Sequence, residues 1–575
     1  MRIHITIIAL TGFFMTMCAP KDNCDRIFFN GAIQSMDEYS SIHSAMAVRE
    51  GRICALGSDE AILAAWSAEE QIDLQGAFVY PGLIDAHAHL YGLGEEAVIL
   101  AVHGTGDKEA IISMLSARAA NTAQNQWIRG RGWDQNDWPE KTFPNNNDLD
   151  RATTAHPVFL SRIDGHAAWV NSLALELSGI TADTPDPEGG RIVRLEDGSP
   201  TGILLDNAIE LVRAHIPPPT REELKVGYQA AIDRCIAVGM TGMHDMGMDA
   251  EDIEAVRSLI DEGKFPFRIV AYIDGRGDTW EQYLKAGRQS YGNQQLTVAG
   301  LKLYADGALG SRGAWMLEPY SDDPGNSGIP IIDEDTIAFE AARAVEAGMQ
   351  VCVHAIGDAA VRRVLNGYAR ALEQNASPPY PLRVEHAQVI SDIDIPRFAA
   401  LGVLPSMQPT HCTSDMYWAE ARLGAIRVRN AYAWARLIGT GTYIPGGSDF
   451  PVERPDPLAG IHAAAFRKDA LGRPASAKDI EEHFQVDPLH PEERDRWSEG
   501  WYGSQRMSRE HAVRAFTSWA AQAAGMQTSV GVLSERSWAD FVILSRDLLT
   551  VPEEEFLETT VRETWHGGEL IYTAE

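Results

Sequence analysis

The sequence predicts an α/β protein built on a (β/α)₈ barrel, with a small β-sandwich assembled from both ends of the chain and an inserted subdomain over the barrel mouth. Three observations predict this fold. Short β-like runs alternate with longer helical patterns between residues 80 and 517, and hairpin-like sequences occur at both ends of the chain. A chain of 575 residues with 45% apolar and 23% charged residues can also form a large core.

The first twenty residues are treated apart from the fold. A basic start, Met1-Arg2, is followed by an apolar run from Ile5 to Met17 and then directly by Cys18. This order is typical of an export signal, and a Cys at this place is typical of a bacterial lipoprotein. We expect residues 1–20 to direct the protein to the periplasm or to a lipid anchor. The alternatives are a first buried element of the fold and a cytoplasmic protein.

Strand patterns begin at Ile27. Two short apolar alternations follow, separated by Asn-Gly and Glu-Gly turns, which is typical of hairpins. The end of the chain repeats the pattern at 539–544 and 561–572, around a Gly-Gly turn. We therefore predict one composite β-sandwich domain formed by residues 24–80 and 518–575.

The middle of the chain, residues 81–517, contains the number of strand patterns that a (β/α)₈ barrel needs. The eight candidate strands are Val79–Asp85, Thr241–Asp245, Phe267–Ile273, Gly300–Tyr304, Gln350–His354, Leu382–His386, Gly402–Ser406 and Tyr443–Asp449. The interval between the first two candidates is less regular and rich in Trp, Asn and Pro. We interpret about 100–235 as an insertion above the barrel mouth.

Charge and cysteine content exclude several classes of function. The formal net charge is −32 and the sequence pI is about 4.9, which disfavours binding to nucleic acid or to an anionic membrane surface. The six Cys contain no C-x-x-C pair, so neither a disulfide framework nor a thiolate zinc site is indicated. Any metal would have to be held by His and carboxylate.

Ligand-type residues occur at the ends of five candidate strands. His87 and His89 are two residues apart after a strand, so their side chains point to the same face. The other four are Lys302, His354, His386 and Asp449. In a (β/α)₈ barrel the carboxyl ends of the strands carry the catalytic residues, so these side chains should meet and could bind Zn²⁺ or another divalent ion. The alternatives are polar strand ends, a Lys302 that reaches solvent, and hydrogen-bonded core histidines.

Several motifs resemble the amidohydrolase superfamily, and specifically its family 3, the YtcJ-like branch that includes the N-substituted formamide deformylases. The likeness extends over nearly the whole chain, and the long motif around Lys302 is its most specific part. The motifs are Leu83-Ile-Asp-Ala-His-Ala-His89, Gly300-Leu-Lys-Leu-Tyr-Ala-Asp-Gly-Ala-Leu-Gly-Ser-Arg-Gly313, Val353-His-Ala-Ile-Gly-Asp358, Val384-Glu-His-Ala387, Gly446-Gly-Ser-Asp449 and Gly130-Arg-Gly-Trp-Asp-Gln-Asn-Asp-Trp138.

The resemblance implies a role for each ligand-type residue. His87, His89 and Asp449 would bind one metal ion, and His354 and His386 a second. Lys302 would be carboxylated by CO₂, and its carbamate would bridge the two ions. Asp449 would take a proton from the attacking water and deliver it to the leaving nitrogen. The implied cofactor is Zn²⁺, as one or two ions.

Other residues are candidates for contact with the substrate. Trp133, Asp134 and His166 lie in the insertion, whereas Asp306 and Arg312 lie in the Gly-rich loop after Lys302. The alternative for the insertion residues is packing within that subdomain, and Arg312 could simply cap a helix. We expect supporting roles for three further residues near the strand ends: Asp85 orients the His-x-His turn from behind, and His244 and Asp245 orient a metal ligand. His411 and Cys412 also lie near the strand ends, but the ligand set implied by the resemblance is complete without them.

We therefore predict a metal-dependent hydrolase that cleaves the C–N bond of a small amide or N-substituted formamide. A mononuclear deaminase or a cyclic amidase on the same fold is the alternative enzyme, because a fold does not settle the chemistry. A non-catalytic binding protein would be expected to have lost a ligand, and all six positions are present. By analogy alone, a homodimer is expected.

Overall fold

A computed structural model describes residues 21–163, 165–187, 189–374, 377–485, 497 and 499–574. The predicted export segment, residues 1–20, lies outside the described residues. None of the described helices is long and apolar enough to cross a lipid bilayer.

The N-terminal part of the chain contributes strands to two sheets. Its elements are β1 Asp22–Phe29, β2 Ala32–Gln34, β3 Ile42–His43, β4 Ala45–Arg49, β5 Arg52–Gly57, α1 Asp59–Ala65, β6 Trp66–Asp73 and β7 Phe78–Pro81. One sheet has the order β5-β4-β1-β6. Strands β2, β3 and β7 belong to a second sheet that the end of the chain completes.

The barrel begins with β8 Leu83–Ala88 and α2 Leu90–Gly94, and a separate mixed sheet follows. This sheet lies within the predicted insertion and has the order β13-β14-β12-β11-β10-β9. The elements of this region are β9 Leu100–Ala101, α3 Lys108–Ala119, β10 Ile128–Trp133, α4 Asn146–Asp150, β11 Val158–Arg162, β12 Ala167–Val170, α5 Ser172–Leu177, β13 Gly190–Arg194, β14 Pro200–Asp206 and α6 Glu210–Arg213.

Strands and helices then alternate through the barrel. The elements are α7 Arg221–Ala237, β15 Met240–Met248, α8 Ala250–Asp261, β16 Arg268–Asp274, α9 Asp278–Ala286, β17 Gln289–Tyr291, β18 Leu296–Tyr304, α10 Glu334–Glu346, β19 Gln350–Ala355, α11 Asp358–Gln374, β20 Arg383–His386, α12 Ile395–Leu401 and β21 Leu404–Ser406. Seven strands pair in parallel in the order β21-β20-β19-β18-β16-β15-β8. The predicted barrel class is confirmed.

The rest of the chain covers the barrel and returns to the N-terminal sheets. Its elements are α13 Pro409–Asp415, α14 Ala419–Arg427, α15 Trp434–Gly439, α16 Pro457–Phe466, α17 Ala477–His483, α18 Arg509–Ala515, α19 Ser518–Ala523, β22 Phe541–Leu544, β23 Val561–His566 and β24 Glu569–Thr573. Short 3₁₀ helices are Glu95–Ala97, Gln135–Asp137, Asn207–Ile209, Val428–Asn430, Gly503–Gln505 and Glu553–Glu558. The second sheet has the order β24-β23-β22-β7-β2-β3, so it joins both ends of the chain.

The predicted eighth strand, Tyr443–Asp449, is wrong as a regular strand. The segment runs between β21 and β8 and makes a few backbone hydrogen bonds to each. On the β21 side, Met407 N donates to Pro445 O and Gly447 N to Met407 O, and on the β8 side Ala86 N donates to Gly446 O. Pro445 has no N–H to donate, which prevents a continuous ladder. An irregular segment of chain therefore lies where the eighth strand was expected.

Local signals explain where the barrel helices begin. At the start of α7, Thr220 Oγ1 accepts a hydrogen bond from Glu223 N, while the Glu223 carboxylate accepts one from Thr220 N. Asp249 and Asp252 form the same reciprocal arrangement at the start of α8. The cap of α8 fixes the short loop after β15, at the end of the barrel strands that carries the site.

Candidate metal centre

The predicted ligand residues are brought together at the carboxyl ends of the barrel strands. Lys302 lies in β18, His354 in β19 and His386 at the end of β20, while His87 lies in β8. His89 follows β8 directly as the cap of α2.

Asp449 lies in the irregular segment and faces the His-x-His pair. Its Oδ1 is 3.5 Å from His87 Nε2 and 3.4 Å from His89 Nε2. One ligand atom from each of these three residues lies within 4.8 Å of the other two. Backbone hydrogen bonds hold the segment of Asp449 in register with the end of β8. They run from Asp449 N to His87 O at 2.7 Å and from His89 N to Phe450 O at 2.9 Å. This set can hold one cation.

A second group shares Asp449. His386, His411 and Asp449 also bring three ligand atoms within 4.8 Å of one another. His411 Nε2 is 3.9 Å from Asp449 Oδ2, and Gln408 Oε1 is 2.7 Å from His386 Nδ1. His354 is close to this group, with its ring centroid 4.5 Å from that of His386, but it is not one of the three.

Lys302 lies between the histidines and is almost fully buried, with 1% of its surface exposed. Its Nζ is 3.3 Å from His87 Nε2 and 5.1 Å from the centre of the Tyr304 ring. Within the described part of the chain, Lys302 forms no ion pair with a carboxylate. Burial lowers its pKa, which favours the neutral amine.

Burial also keeps three of these histidines, His87, His354 and His386, neutral. Burial, followed by the charge of Lys302, lowers the pKa of His87 to about 4 and that of His354 to about 3. The pKa of His386 is likewise well below its usual range because of burial. For Asp449, burial acts to raise the pKa, but the hydrogen bond with His89 and the neighbouring histidines hold it well below its usual range. Neutral imidazoles beside a carboxylate are the protonation states that bind a cation.

Outer partners fix the orientation of the ligands. Glu385 Oε2 is 2.6 Å from His87 Nδ1, which directs His87 Nε2 toward Asp449. Arg383 donates to Glu385 Oε2 at 3.1 Å and to the Ala86 carbonyl at 2.7 Å. Asp85 accepts hydrogen bonds from His87 N and from Ser448 N and Oγ. Asp85 thereby ties the end of β8 to the segment that carries Asp449.

Two of the ligand residues have an unusual backbone. His386 has φ 70° and Asp449 has φ 60°, in the left-handed region that side chains other than Gly rarely adopt. At His386 this conformation breaks the strand alternation, so both Glu385 and His386 contact the ligand cluster. Such strain persists only where the surroundings hold it, and it is frequent at functional sites.

The donors fit a divalent metal ion. The Nε2 atoms of His354 and His411 are buried and have no hydrogen-bond partner among the described residues. A buried polar atom without a partner costs free energy, which a bound cation would recover. Both three-residue groups consist of imidazole and carboxylate without a cysteine, a set that suits Zn²⁺.

Comparison with known proteins agrees with this geometry. The sequence profile of the Amidohydrolase family (Amidohydro_3) matches residues 70–572. The chain belongs to the amidohydrolase family. It is 33% identical to the putative amidohydrolase YtcJ of Bacillus subtilis, with 95% of this chain and 99% of that protein aligned. It is 25% identical to an N-substituted formamide deformylase of Arthrobacter pascens, over 95% of this chain and 98% of that protein.

Solved structures support the same conclusion. An uncharacterized metal-dependent hydrolase from Pyrococcus horikoshii superposes with a TM-score of 0.73 at 26% identity, covering 92% of this chain and 99% of the other. The corresponding hydrolase from Pyrococcus furiosus gives a TM-score of 0.72 at 27% identity, covering 92% of this chain and all of the other. The predictions of family and fold are confirmed.

Two predicted substrate contacts of this amidohydrolase, Trp133 and Asp306, are buried side chains with partners inside the protein. Trp133 has no exposed surface; it packs with Trp138 and Trp169 in the core of the insertion, and its Nε1 donates to the Leu160 carbonyl. Asp306 is 2% exposed, and its carboxylate accepts backbone hydrogen bonds from Trp315, Ile356 and Gly357. Asp306 therefore holds the loops next to His354 and is not available to a substrate.

The other three predicted contacts make local interactions. Asp134 accepts a hydrogen bond from Arg162 Nη2 at 2.7 Å, and His166 Nδ1 is 2.9 Å from Asp206 Oδ1. Arg312 forms a bidentate pair with Asp322. A role for Asp134, His166 or Arg312 in substrate binding stays a prediction.

Sequence reasoning missed three residues of the cluster. The six ligands implied by the resemblance form a complete set without His411, although His411 follows the seventh candidate strand as the other ligands follow theirs. The sequence pattern indicates no role for Glu385 beside His386, and none for Gln408. The position of His411 after the Gly402–Ser406 strand was the available signal for a further ligand.

Proposed function

We propose that the protein hydrolyses the C–N bond of a small N-substituted amide or formamide, releasing an amine and a carboxylic acid. The observation that carries this proposal is the buried cluster of imidazoles around Asp449 at the carboxyl ends of the barrel strands. The likeness to an N-substituted formamide deformylase supports a formyl or other acyl group on the substrate.

The cofactor is a divalent ion, and the donor set favours Zn²⁺. His87, His89 and Asp449 would hold one ion, and His386 with its neighbours would hold another. When bound, such an ion lowers the pKa of water and polarises a carbonyl oxygen. The protein contributes imidazoles held neutral by burial and oriented by Glu385 and Gln408.

Asp449 is the residue that moves the proton. Its carboxylate is deprotonated and partly exposed, with 12% of the side chain accessible, so it can reach a substrate that enters the cluster. Water attacks the carbonyl carbon and forms the new C–O bond. Asp449 accepts the proton released by that water and delivers it to the nitrogen as the C–N bond breaks. The two transfers leave Asp449 deprotonated, ready for another turnover.

Lys302 is proposed to carry a carbamate. The Nζ is buried and has no carboxylate partner among the described residues, so a charged ammonium would be poorly stabilised. The neutral amine attacks CO₂, forms the N–C bond and releases one proton to solvent. The product carries a negative charge next to the histidines, where a carboxylate ligand is useful to a cation.

The proposal is tested by metal content and activity together. Purified protein should contain Zn²⁺ or another divalent ion, hydrolyse members of a panel of N-formyl and N-acyl amines, and lose that activity with a chelator. Intact mass measured with and without bicarbonate should show gain of one CO₂, absent in Lys302→Met. A His87→Ala variant should lose metal and activity, whereas the partly exposed control His43→Ala, in β3, should keep both. Hydrolysis that survives complete metal removal would overturn the proposal.

A further inference from the structure

We infer that His411 is a protein ligand of a second cation, held together with His386 next to Asp449. The family resemblance gives the second ion to His354 and His386 and leaves His411 without a role. This inference rests on the proposed function, because it requires a metal-dependent site.

The first argument comes from the two oxygens of Asp449. Oδ1 is the atom nearest to His87 and His89, at 3.5 and 3.4 Å from their Nε2 atoms. Oδ2 is the atom nearest to His411, at 3.9 Å from its Nε2. The carboxylate therefore has one oxygen toward each histidine group. Oδ1 would bind the first cation, whereas Oδ2 lies on the side of His411 and stays available for the proton transfer proposed above.

The second argument concerns the free nitrogen atoms. Nδ1 of His386 is hydrogen-bonded to Gln408 Oε1, so Nε2 is the ring nitrogen with which His386 can bind a cation. The ring of His411 is nearly parallel to that of His386, with an interplanar angle of 14° and centroids 6.2 Å apart. His411 Nε2 is buried and has no hydrogen-bond partner among the described residues. This nitrogen, like that of His354, is therefore free to face a cation.

The third argument is the position of His354. Its Nε2 lies 3.4 Å from Asp306 Oδ1, on the side of the loops that Asp306 holds. His354 belongs to neither three-residue group whose ligand atoms lie within 4.8 Å of one another. Replacing each histidine should therefore have a different effect: binding of the cation between His386 and Asp449 should depend more on His411 than on His354.

The sharpest test is metal counting on purified full-length protein loaded with Zn²⁺ and then freed of excess metal. The wild type should hold two equivalents, and His411→Ala should hold one. The matched control His103→Ala, whose exposed side chain lies next to Glu96, should hold two. His354→Ala should retain more of the second equivalent than His411→Ala does. Two equivalents in a folded His411→Ala protein would overturn the inference.

Anomalous diffraction at the zinc edge keeps the inference testable if His411→Ala does not fold. Crystals of the loaded wild type should show a second peak within bonding distance of His411 Nε2. A second peak bonded to His354 and His386 but remote from His411 would overturn it. An active enzyme with a single ion at His87 and His89 would also overturn the inference, but it would agree with the proposed function. An active enzyme with no metal would overturn both.

Discussion

Glu385 orients His87 from the side of the ring opposite to Asp449. It is fully buried and lies between His87 Nδ1, at 2.6 Å, and the guanidinium of Arg383. Burial acts to raise its pKa, but Arg383 and then His87 hold it well below its usual range. The carboxylate therefore stays charged, which fixes the His87 tautomer with the proton on Nδ1 and the lone pair on Nε2.

Replacement of Glu385 should lower the affinity of the site for metal. In Glu385→Gln we expect metal affinity to fall about 10–100-fold, because the amide orients His87 less well and makes it a weaker ligand. Competition with a chromophoric chelator on the folded protein measures this loss. Glu346→Gln, on the exposed face of α10, is the matched control and should bind metal as the wild type does. Wild-type affinity in Glu385→Gln would show that the contact does not orient His87.

The irregular segment in place of the eighth strand is the element that completes the site. A Cβ on Gly447 would lie 2.6 Å from His87 N and 2.7 Å from Asp85 Oδ1, closer than any side chain can come. Glycine at this position thus lets the Asp449 segment approach β8 closely enough for Asp449 to face both histidines. Such close approach of two backbones is one of the few contacts that only Gly allows.

Gly447→Ala should separate Asp449 from the His-x-His pair. A displacement of about 1 Å at a reacting group can cost about 100-fold in rate, so we expect kcat/KM to fall by at least about tenfold and metal content to fall with it. The matched control is Gly439→Ala, because a Cβ there meets nothing within 4 Å. Assay of both variants with one N-acyl amine, next to metal analysis, checks the prediction. Wild-type turnover and metal content in Gly447→Ala would refute it.

Strand periodicity could predict the barrel because its strands are short buried runs that alternate with helices. The same logic placed Lys302, His354 and His386, since each lies in or at the end of such a run. Strand periodicity failed for the eighth strand. The segment with Pro445 and two Gly has an apolar pattern but does not form a continuous ladder of backbone hydrogen bonds. Strand periodicity also gave no sign that Trp133 is buried, because composition cannot distinguish a buried aromatic cluster from a pocket wall.

The contribution of Glu385 and His411 depends on local conformation that periodicity does not encode. Glu385 joins the cluster because His386 has a left-handed backbone, so two consecutive side chains serve one site. His411 lies in α13, one element beyond its strand, and its distance from Asp449 depends on the closure of the whole barrel. Residues of this kind require the tertiary structure.

At the scale of the whole molecule, the barrel is joined to the sandwich formed by the two ends of the chain. Phe28 from β1 packs edge-on against Phe541 and Trp565 from β22 and β23, with ring centroids 5.0 Å apart in both pairs. Arg268 at the start of β16 pairs with Asp540, just before β22, and both side chains are almost fully buried. A barrel strand and the C-terminal sheet are thus joined by one buried ion pair.

That ion pair should govern how the two parts unfold. In Asp540→Asn the charge of Arg268 stays buried without a counter-charge, so we expect a loss of about 3–5 kcal/mol in unfolding free energy. Burial acts to raise the pKa of Asp540, but Arg268 and then His566 hold it below its usual value. The carboxylate therefore stabilises the fold above the unfolded pKa of about 3.9, and this contribution is lost as the pH falls through the lower folded pKa.

The difference between wild type and Asp540→Asn should accordingly be large at neutral pH and shrink only in acid, below about pH 4. Urea denaturation followed by tryptophan fluorescence at a series of pH values measures it. The control is Glu109→Gln, which removes one partner of the exposed Arg151 pair and should leave the midpoint unchanged at every pH, because water solvates the remaining charge. Equal midpoints for Asp540→Asn and wild type at neutral pH would mean that apolar packing of the sandwich joins it to the barrel without help from the ion pair.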